Sequence, residues 1–260
     1  MRRSSATTPW GWALAGALLG LLLTALNQAP ARWFTPWLQI VTQGRFLLAD
    51  ARGTLWNGSA QLTLTGGTGS TDAATLPGRL AWRISPAWTG LQAEVLADCC
   101  TQQPWRLNLQ PHWDGAHLTL ADSFSQWPAK VLAGLGTPWN TVQPEGSLAL
   151  STQGLTLDWT AGRLVLAGRA QLDATQISSR LSTLKPMGSY RVTVVGGTAT
   201  TLQLETLEGS LRLSGSGQWV GAKLRFDGEA SAAPDRLDAL ANLLNIIGRR
   251  DGARAIIKVG

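Results

Sequence analysis

The sequence predicts a mainly β protein: one strongly curved antiparallel sheet of successive hairpins, an open half-barrel or a sandwich, behind one amino-terminal transmembrane helix. Three observations predict it. A strand end, a Gly-bearing turn and an alternating strand occur together as Thr54-Leu55-Trp56-Asn57-Gly58-Ser59-Ala60-Gln61-Leu62-Thr63-Leu64, and the phrase returns from Trp113 to Leu120, Trp159 to Leu166 and Trp219 to Phe226. Asn-Gly and Asp-Gly favour hairpins because their left-handed tolerance matches the twist of the flanking strands. The segments so delimited alternate apolar and polar residues, as a sheet with one buried face does. The composition agrees: 260 residues include 29 Gly and 13 Trp, with only 15% charged, which suits short twisted strands and tight turns.

The phrase also sets a register. A two-residue turn at Asp114-Gly115 places Trp113 opposite Ala116, on one apolar face with Leu107, Leu109, Leu118 and Leu120, and leaves His117 and Thr119 on the polar face. The fourth copy places Trp219 with Ala222, Leu224 and Phe226. In the first copy a three-residue loop, with Gly58 or Ser59 left-handed, keeps Trp56 on the apolar side; the third copy needs about four loop residues for Trp159. Trp56, Trp113, Trp159, Trp219, Leu118, Leu120, Leu224 and Phe226 are therefore the candidate core face or groove.

Between Ser4 and Ala31 there is no charge, and Trp10 to Leu26 is almost all Ala, Gly and Leu. As a helix this stretch spans about 26 Å, the short end for a hydrocarbon core of about 30 Å. Arg2 and Arg3 precede it and only Arg32 follows, so the positive-inside bias gives a cytoplasmic segment 1–9, an anchor 10–30 and an extracytoplasmic β domain 31–260. Trp10 and Trp12 then mark one interface, Trp33 and Trp37 the other. Ala29-Pro30-Ala31 resembles a signal-peptide cleavage site, but the hydrophobic length favours an uncleaved, single-pass anchor.

Along the body, Pro36 opens a short helix over 36–43 carrying Trp37, Ile40 and Val41 on one side, read as packing over the first strands. Strands follow at 45–51, 54–56, 60–65, 79–84, 88–96, 105–109 and 117–120. Between Phe124 and Pro138 the period changes to that of a short helix or turn, so a subdivision is expected near 124–144. The second half offers strands at 146–151, 155–159, 163–172, 190–195, 201–206, 209–214 and 223–226. The segment 234–247 is a helix with Leu237, Leu240, Ala241, Leu244 and Ile247 on its apolar stripe, and a strand over 253–259 closes the chain.

Chemistry is sparse. The net charge of +6 comes mostly from arginines spread singly along alternating strands, which is a solvated face; no basic run or recognition motif points to nucleic acid. Gly66-Gly67-Thr68-Gly69-Ser70 lacks the Gly-Lys-Ser/Thr that a phosphate cradle requires. Cys99 and Cys100 are adjacent, open to a vicinal disulfide, to pairing with another chain or to idle thiols. His112 and His117 are expected opposite each other on the polar face, where two imidazoles without a third ligand make a poor metal site. There is no nucleophile elbow and no carboxylate pair, so the sequence argues against an enzyme and implies no cofactor.

Several stretches carry a family resemblance: Ala51-Arg52-Gly53-Thr54-Leu55-Trp56-Asn57-Gly58-Ser59-Ala60, Gly134 to Pro144, Pro186-Met187-Gly188-Ser189-Tyr190, and Asn242 to Arg250, behind the short anchor. Together they resemble type II secretion system protein N. That resemblance implies a Gram-negative inner-membrane protein, its β body in the periplasm, that works with other secretion-system subunits in export across the outer membrane. The first half is also similar to AsmA-like and bridge-like lipid-transfer proteins, which implies an open trough holding acyl chains. The adjacent cysteines have no place in the family pattern.

Overall fold

Alternation along the chain builds a single sheet. The computed structural model describes residues 10–221 and 223–260, so the expectations for segment 1–9 and for Ala222 lie outside the described residues. Helix α1 (Trp10–Asn27), a 3-10 turn (Ala31–Trp33) and α2 (Phe34–Val41) lead into β1 (Phe46–Gly53) and β2 (Asn57–Thr65). There follow β3 (Ala73–Thr75), β4 (Leu80–Ala87), β5 (Gly90–Ala97), β6 (Trp105–His112), β7 (Gly115–Leu120) and β8 (Ser123–Pro128). A 3-10 stretch (Ala129–Leu135) and α3 (Trp139–Val142) precede β9 (Glu145–Thr160), β10 (Arg163–Ser178), β11 (Gly188–Val195) and β12 (Thr201–Gly209). The chain ends with β13 (Leu211–Val220), β14 (Lys223–Ala232), α4 (Leu237–Ile247), β15 (Arg249–Asp251) and β16 (Arg254–Val259).

The hydrogen-bonded order is β1-β2-β4-β5-β6-β7-β9-β10-β11-β12-β13-β14-β16-β15, with β3 on β2 and β8 on β9. Every pairing is antiparallel, and the path starts at β1 and ends at β15 without joining. The sheet is open rather than a barrel, and of the two predicted architectures it is the single sheet, not the sandwich.

Three local readings change. Residues 123–128 form a strand instead of starting a helix, because Ser125 and Trp127 alternate with Phe124 and Gln126 and pair with the first half of β9. The second half of β9 pairs with β7, so the ladder passes directly across the helical stretch at 129–142. The two strands expected at 146–151 and 155–159 are one, since Gly154, at φ +55°, is absorbed as a bulge against β10 and the strand continues past it. In α2 the buried side is Phe34 and Leu38, and Trp37, Ile40 and Val41 face outward.

One face of the sheet is apolar from end to end, and it is packed only in part. Helix α4 inserts Leu240, Leu243 and Leu244 against Leu148, Ile177, Met187, Tyr190, Leu211, Ala230 and Ala255. Leu243 lies beside the expected stripe, three residues from Leu240 and next to Leu244, and packs inward with them. Val131 packs on Leu64, Leu76, Ala97 and Cys100, while Ala31 joins Leu48, Ala60 and Trp82. The opposite face carries cross-strand ion pairs such as Arg106 with Glu94, Arg191 with Asp173, Lys258 with Asp227 and Arg254 with Glu229.

Candidate functional site

Strands β1, β4, β6, β9, β11, β13 and β16 run in one direction and their partners return, so the connections that follow the forward strands collect at one end. Those connections form a row of tips. Trp88-Thr89 links Ala87 to Gly90, Trp113-Asp114 links His112 to Gly115, and Ala161-Gly162 links Thr160 to Arg163. The packed clusters under α4 and the 129–135 stretch lie toward the other end, where the 66–79, 98–104, 129–144 and 179–187 connections run.

Register decides where each predicted tryptophan goes. Trp113 is not opposite Ala116: the observed pairs are His112 with Gly115, Pro111 with Ala116 and Leu109 with Leu118. The turn is Trp113-Asp114, the register differs by two residues, and Trp113 stands fully exposed at the tip. An even shift preserves the faces, so Leu107, Leu109, Leu118 and Leu120 still share the apolar side. The physical reason lies in the next strand. Gly115 is inside β7, where an added Cβ would collide with the carbonyl oxygen of Trp159 in β9. Glycine is needed there for close approach of backbones, not for the turn.

Trp159 and Trp219 do lie on the apolar face. Ala161 and Gly162 both take positive φ, which makes a two-residue turn in place of the expected four, and Trp159 sits directly across from Leu164. Trp219 sits across from Leu224, with Gly217 across from Phe226. In the first hairpin Gly53 pairs with Gly58, and the left-handed residues are Asp50 and Gly53 rather than Gly58 or Ser59. Trp56 therefore turns its side chain to the apolar helix α1, where its Nε1 donates to the Leu26 carbonyl at 2.8 Å, while its own carbonyl accepts from the Ile84 amide of β4.

Among the described residues nothing is packed over the tip half of the apolar face. Leu109 pairs with Leu118, Leu118 with Leu157, and Leu157 with Leu166; Leu120 pairs with Leu155; farther along Val194 pairs with Leu202. None of these belongs to the buried clusters of the described residues. Most are half-buried by their neighbours alone, while Trp159 is 57% and Leu164 69% exposed. The arrangement is an apolar trough, floored by leucine and valine, with Trp159 and Trp219 at its tip end.

The polar candidates are separated. His117 pairs through Nδ1 with Asp158 of β9, and its Nε2 lies 3.1 Å from Thr119 Oγ1. His112 instead meets the Gln110 carbonyl at 2.9 Å, so the two histidines are diagonal rather than opposite. Asp158 carries no local signal in the sequence, because its strand neighbour depends on β9 joining β7. Among the described residues no three His, Cys, Asp or Glu side chains come together to hold a metal ion. A disulfide joins Cys99 to Cys100, with Cys100 buried against Leu76 and Val131.

Two ionic pairs brace the polar face. Arg191 donates from Nε and Nη2 to the two Asp173 oxygens at 2.7 and 2.9 Å, and this guanidinium holds the Asp173 carboxyl below its ordinary range. Arg79, with Arg52, does the same to Asp50 at the bulge of β1. Burial raises the Tyr190 phenol, whose hydroxyl donates to the Leu211 carbonyl at 3.2 Å.

Helix α1 is long and apolar enough to cross a membrane, and none of its residues is buried against the body. Beyond Trp56, the Leu55 amide donates to the Ala29 carbonyl at 2.8 Å and Pro30 bridges Thr54, so the helix ends against the first tip. No curated protein and no solved structure matches the chain. The family model described as type II secretion system (T2SS), protein N, matches residues 45–257, from the start of β1 into β16. The open hairpin sheet is thus the part the family shares, and the chain belongs to the type II secretion system protein N family.

Proposed function

We propose that this protein is a non-enzymatic, inner-membrane-anchored component of the type II secretion system, its sheet in the periplasm, that supports protein export across the outer membrane. The observation that carries the reading is the family match over the whole sheet, 45–257. The apolar helix α1, joined to that sheet by the Trp56 and Leu55 hydrogen bonds, supports the anchor. The positive-inside bias orients it with the amino terminus in the cytoplasm. The ionisable side chains pair along an open strand face, an arrangement suited to scaffolding and to contact with other inner-membrane and periplasmic subunits. Crosslinking and co-purification of the full chain from its native membrane tests this: secretion subunits should be recovered, and their absence would remove the reading's support.

A second reading rests on the trough. An apolar face that no described element covers over its tip half, with Trp159 and Leu164 more than half exposed, suits the binding or transfer of acyl chains. Mass spectrometry of lipids retained by the folded full chain tests it. Replacing Leu118 and Leu157, which face each other across β7 and β9, by arginine should abolish retention; an empty wild-type preparation would defeat the trough reading and leave the secretion role standing.

A further inference from the structure

The connections that follow β1, β4, β6, β9 and β13 each have a tryptophan in them or just before them, all at the same end of the sheet, while the connection after β11, residues 196–200, has none. Trp88 and Trp113 occupy turns and are fully exposed. Trp159 lies one residue inside its turn and is more than half exposed, and Trp219 is one residue inside the turn that follows β13. Trp56 stands in the first connection and Trp33 beside the last turns of α1. A solvent-facing turn gains nothing from an indole, whose apolar body costs free energy in water and whose N–H needs a polar partner. Between headgroups and acyl chains both needs are met, which is why tryptophan concentrates at membrane interfaces.

The position of the anchor puts these tips at that depth. Trp56 Nε1 bonds the carbonyl of Leu26, one residue from the end of α1, so the first tip and the end of the apolar helix are one hydrogen bond apart. With strands about 4.8 Å apart, the tips carrying Trp88, Trp113 and Trp159 follow at roughly 10, 20 and 30 Å along the sheet. Neighbouring residues are ones an interface accepts: Thr89 and Asp114 in the turns, His112, Arg163 and Lys223 just inside them. A protein partner would instead be expected to cover a contiguous apolar patch with a packed centre, whereas these indoles are strung singly along a line of separate loops.

We propose that the tip end of the sheet is a membrane-docking rim: Trp88, Trp113 and Trp159 insert into the headgroup region of the outer leaflet of the bilayer that α1 crosses, and the trough opens onto that leaflet. The proposal rests on the anchor reading of α1. The rim stands the strands upright on the membrane, with the packed end under α4 pointing away, and gives a lipid from the same leaflet a lateral entry past Trp159 and Leu164.

The test uses the full chain, with Cys99 and Cys100 replaced by serine, reconstituted into phosphatidylethanolamine/phosphatidylglycerol vesicles. An environment-sensitive fluorophore is attached at Asp114→Cys on the rim or at Arg180→Cys in the far connection between β10 and β11. We expect the chain to float with the vesicles, the rim label to be blue-shifted and quenched several-fold more by headgroup-proximal spin-labelled lipid than the far label, and Trp88→Ser with Trp113→Ser to diminish that difference. A floating chain whose rim label is as open to aqueous iodide as the far label overturns the rim and leaves the anchor standing, the result expected if the tips serve a protein partner. A chain that does not float overturns both. The labels report on a chain that keeps every tryptophan, so the outcome does not depend on the serine variants folding.

Discussion

The indole of Trp56 donates its N–H to the carbonyl oxygen of Leu26 at 2.8 Å, joining the first hairpin of the sheet to the last turn of the apolar helix. The carbonyls of a helix's last turn have no partner within the helix, so this bond caps α1 while fixing the body against it. Leu55 and Thr54 complete the joint through Ala29 and Pro30. Trp56→Phe keeps the ring but not the donor. We expect loss of about 1 kcal/mol locally, seen as roughly fivefold faster hydrogen exchange at the Leu55 amide, with the rest of the sheet unchanged.

Gly115 and Trp113 exchange the roles that the Asp-Gly dipeptide suggests. Gly115→Ala should destabilise the chain by about 1–3 kcal/mol, because the new Cβ must push β7 away from the Trp159 carbonyl. Trp113→Ser, at an exposed turn, should stay within about 0.5 kcal/mol. Urea unfolding of the detergent-solubilised chain checks both, and a large loss for Trp113→Ser would contradict the register.

Packing is concentrated at the end away from the tips. Leu244→Ala, in a fully buried position of α4, should cost about 2–5 kcal/mol in the same assay. Leu164→Ala, on the same face of the sheet but in the uncovered half, should cost no more than about 0.5 kcal/mol. Equal losses would mean that the trough is covered.

The pair Asp173 and Arg191 gives a pH dependence of known sign. Its hydrogen bonds hold the Asp173 carboxyl below the ordinary aspartate value, so the unfolded chain binds the proton more readily than the folded one. The stabilisation is therefore complete above about pH 4, the unfolded value, and disappears as pH falls through the lowered folded value. Asp173→Asn should cost about 0.5–1 kcal/mol at neutral pH, an amount set by a partly exposed pair, and nothing at strongly acidic pH. Unfolding midpoints of both chains across that range should converge on acidification.

Alternation and turn residues make most of the strands legible in the sequence, together with the apolar helix at Trp10–Asn27, the helix at Leu237–Ile247 and the leucines of one face. These depend on neighbours within a few residues, and a two-residue period survives any even slip of register. The sequence by itself thus determined a hairpin-built antiparallel protein with one apolar face, either half-barrel or sandwich, and its motifs pointed to the family. Tertiary structure decided what local rules leave free: whether a glycine serves a turn or a close backbone approach, so that Trp113 went to a tip while Trp159 stayed on the face. It also decided that Asp158 would meet His117 across the β7–β9 junction, and that α4 would cover one half of the apolar face and leave the other open. Each of these depends on which strands become neighbours, and strand neighbours are chosen by contacts far apart in the chain.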